Sequence, residues 1–149
     1  MNQETLPTPA AEKAEQPRLV SSHALPLPAT FSFDCYGVRF DASIRSSDES
    51  GAQLVVSCDL GKVPYSAKSK SLRRYLHAVV DAGTGLPMAE ITLDRSQAII
   101  LRGTMNFPGA PSPAVTAAGT AAIAISVKSI IEIIETYRDG ARPPGRNFN

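Results

Sequence analysis

The sequence predicts an α+β fold: an antiparallel sheet in βββ-α-ββ-α order with two helices packed on one face. Three observations carry that reading. Apolar and polar residues alternate with period two over 30–60 and again over 89–107, as half-buried strands do. Two other stretches, near 66–82 and 113–137, space their apolar residues at three and four, the interval of a helical stripe. The strands also come in clusters, whereas a parallel doubly wound sheet needs a helix after nearly every strand.

The elements follow in order. Residues 1–29 hold Pro7, Pro9, Pro17, Pro26 and Pro28 among Ala, Glu and Ser. Each proline fixes φ and removes a donor, so this part is expected to be a disordered Pro-rich arm, with residues 30–139 as a single α+β domain and 140–149 as a flexible tail. In "TFSFDCYGVRFDASI", Phe31, Phe33 and Cys35 alternate, then Val38, Phe40, Ala42 and Ile44. Tyr36-Gly37 is either a bend or bulge between two strands or a kink within one. "RSSDESG" is a polar turn, and "AQLVVSCDL" a strand with Leu54, Val56 and Cys58 on one face, ended by Gly61 and Pro64.

A helix is expected to start near Ser66, with Leu72, Tyr75, Leu76, Val79 and Val80 as its stripe and Gly83 as a C′ residue accepting φ > 0. Ala89, Ile91 and Leu93 then alternate, "DRSQ" turns, and "AIILRGTMNF" returns. Its Ile99-Ile100-Leu101 run predicts burial on both faces. Ser112-Pro113 reads as N-cap and N1 of the last helix. Its main stripe is Ile123, Val127, Ile130, Ile131, Ile134 and Tyr137, with Ile125 and Ile133 outside it.

Composition narrows the function. At 149 residues, 43% hydrophobic and 19% charged, the chain can bury one ordinary core. A net charge of +1 leaves no basic field for nucleic acid. No unbroken run of about 18 apolar residues occurs and the start has no apolar leader, so neither a membrane span nor a secretory signal is expected, and the expected location is cytoplasmic. Cys35 and Cys58 fit that compartment as reduced thiols.

No catalytic constellation emerges. His77 flanks the helical stripe without a sequence-local partner, and His23 falls in the arm. Cys58 is buried by alternation, which argues against a nucleophile. Lys68, Lys70, Arg73 and Arg74 could assist a phosphate at a helix N-terminus, though a solvated helix face accounts for them more simply. "GTGLP" is too short for a phosphate loop and lacks a following Lys. No cofactor or metal is expected. The Ala-rich start of the last helix is expected to pack on the sheet, and the excess apolar Ile125 and Ile133 mark a self-association surface.

"LVVSCDLGKVPYS", "LRRYLHAVV", the hairpin "AEITLDRSQAIILRGTMNF" and a long helix ending "ETYRD" together resemble the type III secretion chaperone-like fold. That fold includes the Tir-chaperone family and related bacterial putative sensory-transduction regulators. The matching residues are Leu60, Gly61 and Pro64, then Leu72, Leu76, Leu93, Asp94 and Leu101, then Tyr137-Arg138, over about residues 30–139. The chain departs from the pattern in opening with a Pro-rich arm rather than a helix, and in being slightly basic rather than acidic. The resemblance implies a non-catalytic protein-binding module, a homodimer that holds an extended segment of a protein partner, or a regulator of the sensory-transduction type. The family's interface more often uses the middle helix, here near 66–82. The candidate partner-binding or dimer residues are therefore Tyr75, Ile125 and Ile133.

Overall fold

The computed structural model describes residues 23–47, 51–65 and 67–140. Its elements are β1 (Ala29–Cys35), β2 (Val38–Ser47), β3 (Gly51–Lys62), α1 (Lys70–Gly83), β4 (Ala89–Leu93), β5 (Ala98–Phe107) and α2 (Pro113–Gly140). The strands form a five-stranded sheet ordered β1-β2-β3-β5-β4, and every neighbouring pair is antiparallel. The expected arm lies outside the described residues as far as 22, as do the tail from 141 and residues 48–50 of the β2–β3 turn.

Alternation resolves into one apolar face. The register sets Phe33 opposite Phe40, Ile44 opposite Leu54, Cys58 opposite Leu101 and Ile91 opposite Leu101. Phe40, Ile44, Leu54, Val56, Ile99 and Leu101 are wholly buried there. The opposite face carries Ser32, Asp41, Ser43, Ser57, Arg102 and Thr104 on the same strands. The Ile99-Ile100-Leu101 run is corrected on this point. Ile99 and Leu101 point inward, but Ile100 points to the other face and is only half-buried, because no layer among the described residues covers that side.

Tyr36 and Gly37, at φ 54° and 74°, make a two-residue hairpin turn with left-handed conformation at both central positions, as a type I′ turn requires. They therefore separate two strands. The β4–β5 turn is held by Asp94: its carboxylate accepts from the backbone N–H of Ser96 (2.7 Å) and of Ala98 (2.8 Å) and from the Ser96 hydroxyl (2.8 Å). Residues 23–28, assigned above to the arm, are docked. Leu25 donates its N–H to Pro111 O at 2.9 Å, and Leu25 and Leu27 pack against the core.

α2 covers the middle of the sheet. Ser112 caps it, its hydroxyl accepting from Val115 N–H at 3.3 Å. Thr116, Gly119, Thr120, Ile123, Ala124, Val127, Ile131 and Ile134 form its buried stripe, so the Ala-rich start does pack on the sheet. Two glycines allow the close approach. A Cβ at Gly103 on β5 would collide with Ile123, and one at Gly119 would crowd Met105 and Phe107. By length and composition the helix over Pro113–Arg138 could cross a membrane, a property hidden by the absence of an unbroken apolar run. In this fold its stripe is what the sheet packs against.

α1 covers the β4 side. It begins later than expected, at Lys70, because Ser69 takes the N-cap and accepts from Leu72 N–H at 3.3 Å. Leu76, Val79 and Val80 are buried as the stripe predicts. Gly83 does not act as an αL cap: it is the last helical residue, and Thr84 follows in the αR region. Its lack of a side chain serves packing, since a Cβ would meet the Ile91 side chain.

Leu76→Ala is expected to cost about 2–5 kcal/mol in denaturant unfolding, given its 1% exposure; a change within about 0.5 kcal/mol would remove Leu76 from the core. The Asp94 carboxyl is held below the usual 3.8 by the Ala98 N–H and then the Ser96 hydroxyl. Its stabilising contribution is thus complete above pH 3.8 and lost as pH falls through the lower folded-state value. Asp94→Asn should flatten the acid limb of the stability–pH curve, and an unchanged limb would contradict the assignment.

Candidate functional site

Where the first turns of α1 meet the last turns of α2, the surface opens into a groove. Tyr75 and Tyr137 stack across it with ring centroids 3.4 Å apart and planes 15° from parallel. Tyr75 comes from the flank of the α1 stripe, and Tyr137 stands three residues past the buried Ile134. Desolvation, and secondarily the Tyr137 phenol beside it, raise the Tyr75 phenol above the usual tyrosine value. Leu72 and Lys68 line one end of the groove, which measures about 740 Å³. A shallower continuation of about 280 Å³ runs on past Tyr75 to Ser129 and Ile133.

Two of the residues picked out from sequence, Tyr75 and Ile133, are therefore brought together. The third, Ile125, is not in the groove. It lies two turns up α2, about 12 Å along the axis from Ile133, on the side turned away from the sheet, and is 67% exposed. Tyr137 was placed in the buried stripe by spacing; it is 43% exposed and forms half of the tyrosine pair. The signal for it was available: Tyr137 follows Ile133 by four residues, so it shares that residue's flank.

The rest of this part of α2 is equally bare. No charged side chain occurs from Pro113 to Val127, and Val115, Ala118, Ala121 and Ile125 are exposed within that stretch. Lys128 is the first cation, 5.7 Å above the Tyr36 ring and 3.6 Å from Glu132.

Of the possible phosphate cluster, Arg73 is engaged within the fold, while Lys68, Lys70 and Arg74 are exposed. Arg73 donates to Pro64 O and Gln97 Oε1, each at 3.3 Å, and so ties α1 to the end of β3 and to the β4–β5 turn. Arg138 covers the same end of β3: a Cβ at Gly61, whose φ is +88°, would strike its guanidinium. Both cysteines are free thiols, on β1 and β3 with β2 between them. Burial first, and the Asp59 carboxylate second, push the Cys58 thiol up to about 12, which leaves almost no thiolate at neutral pH. Among the described residues no group of three or more His, Cys, Asp or Glu is placed to hold a metal.

No protein-family model matches the chain, and no curated protein or solved structure does either.

Thiol titration tests the burial of Cys58. At pH 8 a thiol reagent should label Cys35 faster than Cys58, which should react only on unfolding. Equal labelling rates in the native protein would place Cys58 at the surface.

Proposed function

We propose that this chain is a non-catalytic protein-binding module, like a secretion chaperone in holding an extended segment of a partner protein in the α1–α2 groove. One observation carries the reading: aromatic and aliphatic side chains that a small fold would ordinarily bury, Tyr137 and Ile133 with the half-buried Tyr75 and Leu72, converge on one open groove. An apolar side chain of an extended segment gains by leaving water there, at about 25 cal/mol per Å², and the tyrosine hydroxyls can take main-chain hydrogen bonds. Lys68 at one end would favour an acidic residue of the segment. The exposed Ile125 belongs to a separate apolar surface on α2, divided from the groove by the exposed Lys128–Glu132 pair.

A displayed random-peptide library is the test. Selected segments should carry aromatic or aliphatic anchors. Tyr75→Glu and Ile133→Glu should each weaken them by at least tenfold, about 1.4 kcal/mol, with thermal unfolding within a few degrees of wild type. Selected peptides that bind both variants as well as wild type would place the binding surface elsewhere. Failure to select any apolar-anchored segment would count against the reading itself.

A further inference from the structure

β1 forms the edge of the sheet farthest from β4, the strand against which α1 packs. Among the described residues no strand pairs with its outer side. The two-residue turn makes Cys35 and Val38 a hydrogen-bonded pair, so Ala29, Phe31, Phe33 and Cys35 direct their N–H and C=O groups toward β2. Those of Thr30, Ser32 and Asp34 then point outward.

Edge strands of monomeric proteins usually carry a device against pairing, such as a proline, a lysine, a bulge or very short length. β1 carries one edge charge, Asp34, but no proline, lysine or bulge, and it is not short. Its sequence is ATFSFDC, and its register with β2 runs without interruption from Ala29 to Cys35. Its apolar face is also unfinished. Phe40 and Phe33 stack at 5.0 Å with planes 4° apart, Phe31 follows at 6.2 Å, and the row of rings stops half-buried at the edge.

We propose that β1 pairs antiparallel with β1 of a second copy, about a two-fold axis at Ser32, joining the two sheets into one. Strand pattern selects both the occupant and the register. Centring on Ser32 opposes Thr30 to the other copy's Asp34, Phe31 to its Phe33, and Ala29 to its Cys35. This register engages every outward N–H and C=O of Thr30, Ser32 and Asp34; a shift of the axis to Phe31 or Phe33 loses one end. Inner face meets inner face, and the Phe31–Phe33 pairs fall at non-hydrogen-bonded positions, where side chains approach most closely. The two Asp34 carboxylates sit at opposite ends of the joint, each facing a threonine hydroxyl. α1, one wall of the groove, packs on β4, the edge opposite the joint, so pairing through β1 leaves that wall uncovered in both copies. The inference does not depend on what those grooves bind.

The full-length chain should scatter light at micromolar concentration with twice the mass of 15.8 kDa. Ser32→Pro removes an outward N–H while sparing the β2 ladder, and should give a folded monomer. Ala29→Cys sets its introduced thiol opposite the second copy's Cys35, within disulfide reach; within one chain the two positions are about 20 Å apart and cannot bridge. Mild oxidation should therefore yield a covalent dimer whose bridge maps between positions 29 and 35, and Ala29→Cys combined with Cys35→Ser should yield none. If Ser32→Pro does not fold, the cross-link decides. A wild-type monomer overturns the proposal. So does a dimer that forms no 29–35 bridge, which would put the second copy on the bare face of α2 or another surface.

Discussion

The seating of α2 on the sheet is the constraint from which the rest of the structure follows. A five-stranded sheet with one apolar face must have that face covered, and the cover must come close. Gly103 removes a side chain from β5 where Ile123 enters, and Gly119 removes one from α2 above Met105 and Phe107. With those two absences the helix lies directly on the strands, and Ile123, Val127, Ile131 and Ile134 reach 1% exposure or less. Each such burial contributes about 1.5–3 kcal/mol relative to exposure. α1 then has only the β4 side left to cover, with Gly83 against Ile91 providing the same kind of close contact. Among the described residues nothing packs on the outer face of the sheet, and its side chains there are mainly polar.

That arrangement decides which apolar groups remain for other uses. α2 is apolar around more of its circumference than one sheet can bury, so Val115, Ile125, Ile133 and Tyr137 stay at the surface. Where the flank of α2 meets α1 the excess becomes a groove with paired tyrosines; at the opposite edge the uncovered surface is the ring row of β1. Both are places where an apolar face runs out of protein. A joined pair of sheets would carry two grooves on one rigid body, and a ligand with two segments would gain by effective concentration rather than by new contacts.

Much of this was legible in the sequence because it depends on period. Alternation located the strands, and spacing at three and four located both helices and assigned Leu76, Ile123 and Val127 to the core. What spacing could not supply was the reason for a particular glycine or the extent of a layer. Gly83 looked like a left-handed cap, but the need it meets is room for Ile91, a residue eight positions away on another element. Ile100 looked doubly buried because a run of three apolar residues does not reveal that one face lacks a cover. Ser69 displaced the expected start of α1 because several serines and lysines precede the first stripe residue, and only the cap geometry distinguishes among them. Of the site, Tyr75 and Ile133 were chosen from the sequence and do meet; Tyr137 was missed because a residue at the margin of a stripe is buried or exposed according to its neighbour, here Tyr75.

Native-state hydrogen exchange tests the central claim most directly, namely that α2 is the core helix of a one-faced sheet. Amides of α2 from about 119 to 131 should exchange only through global unfolding, with the same opening free energy as those of β3 near Val56 and β5 near Leu101. An α2 that opens several kcal/mol below the global value while the sheet stays protected would contradict it. The helix would then be a detachable element, and the apolar face beneath it would be available to some other partner.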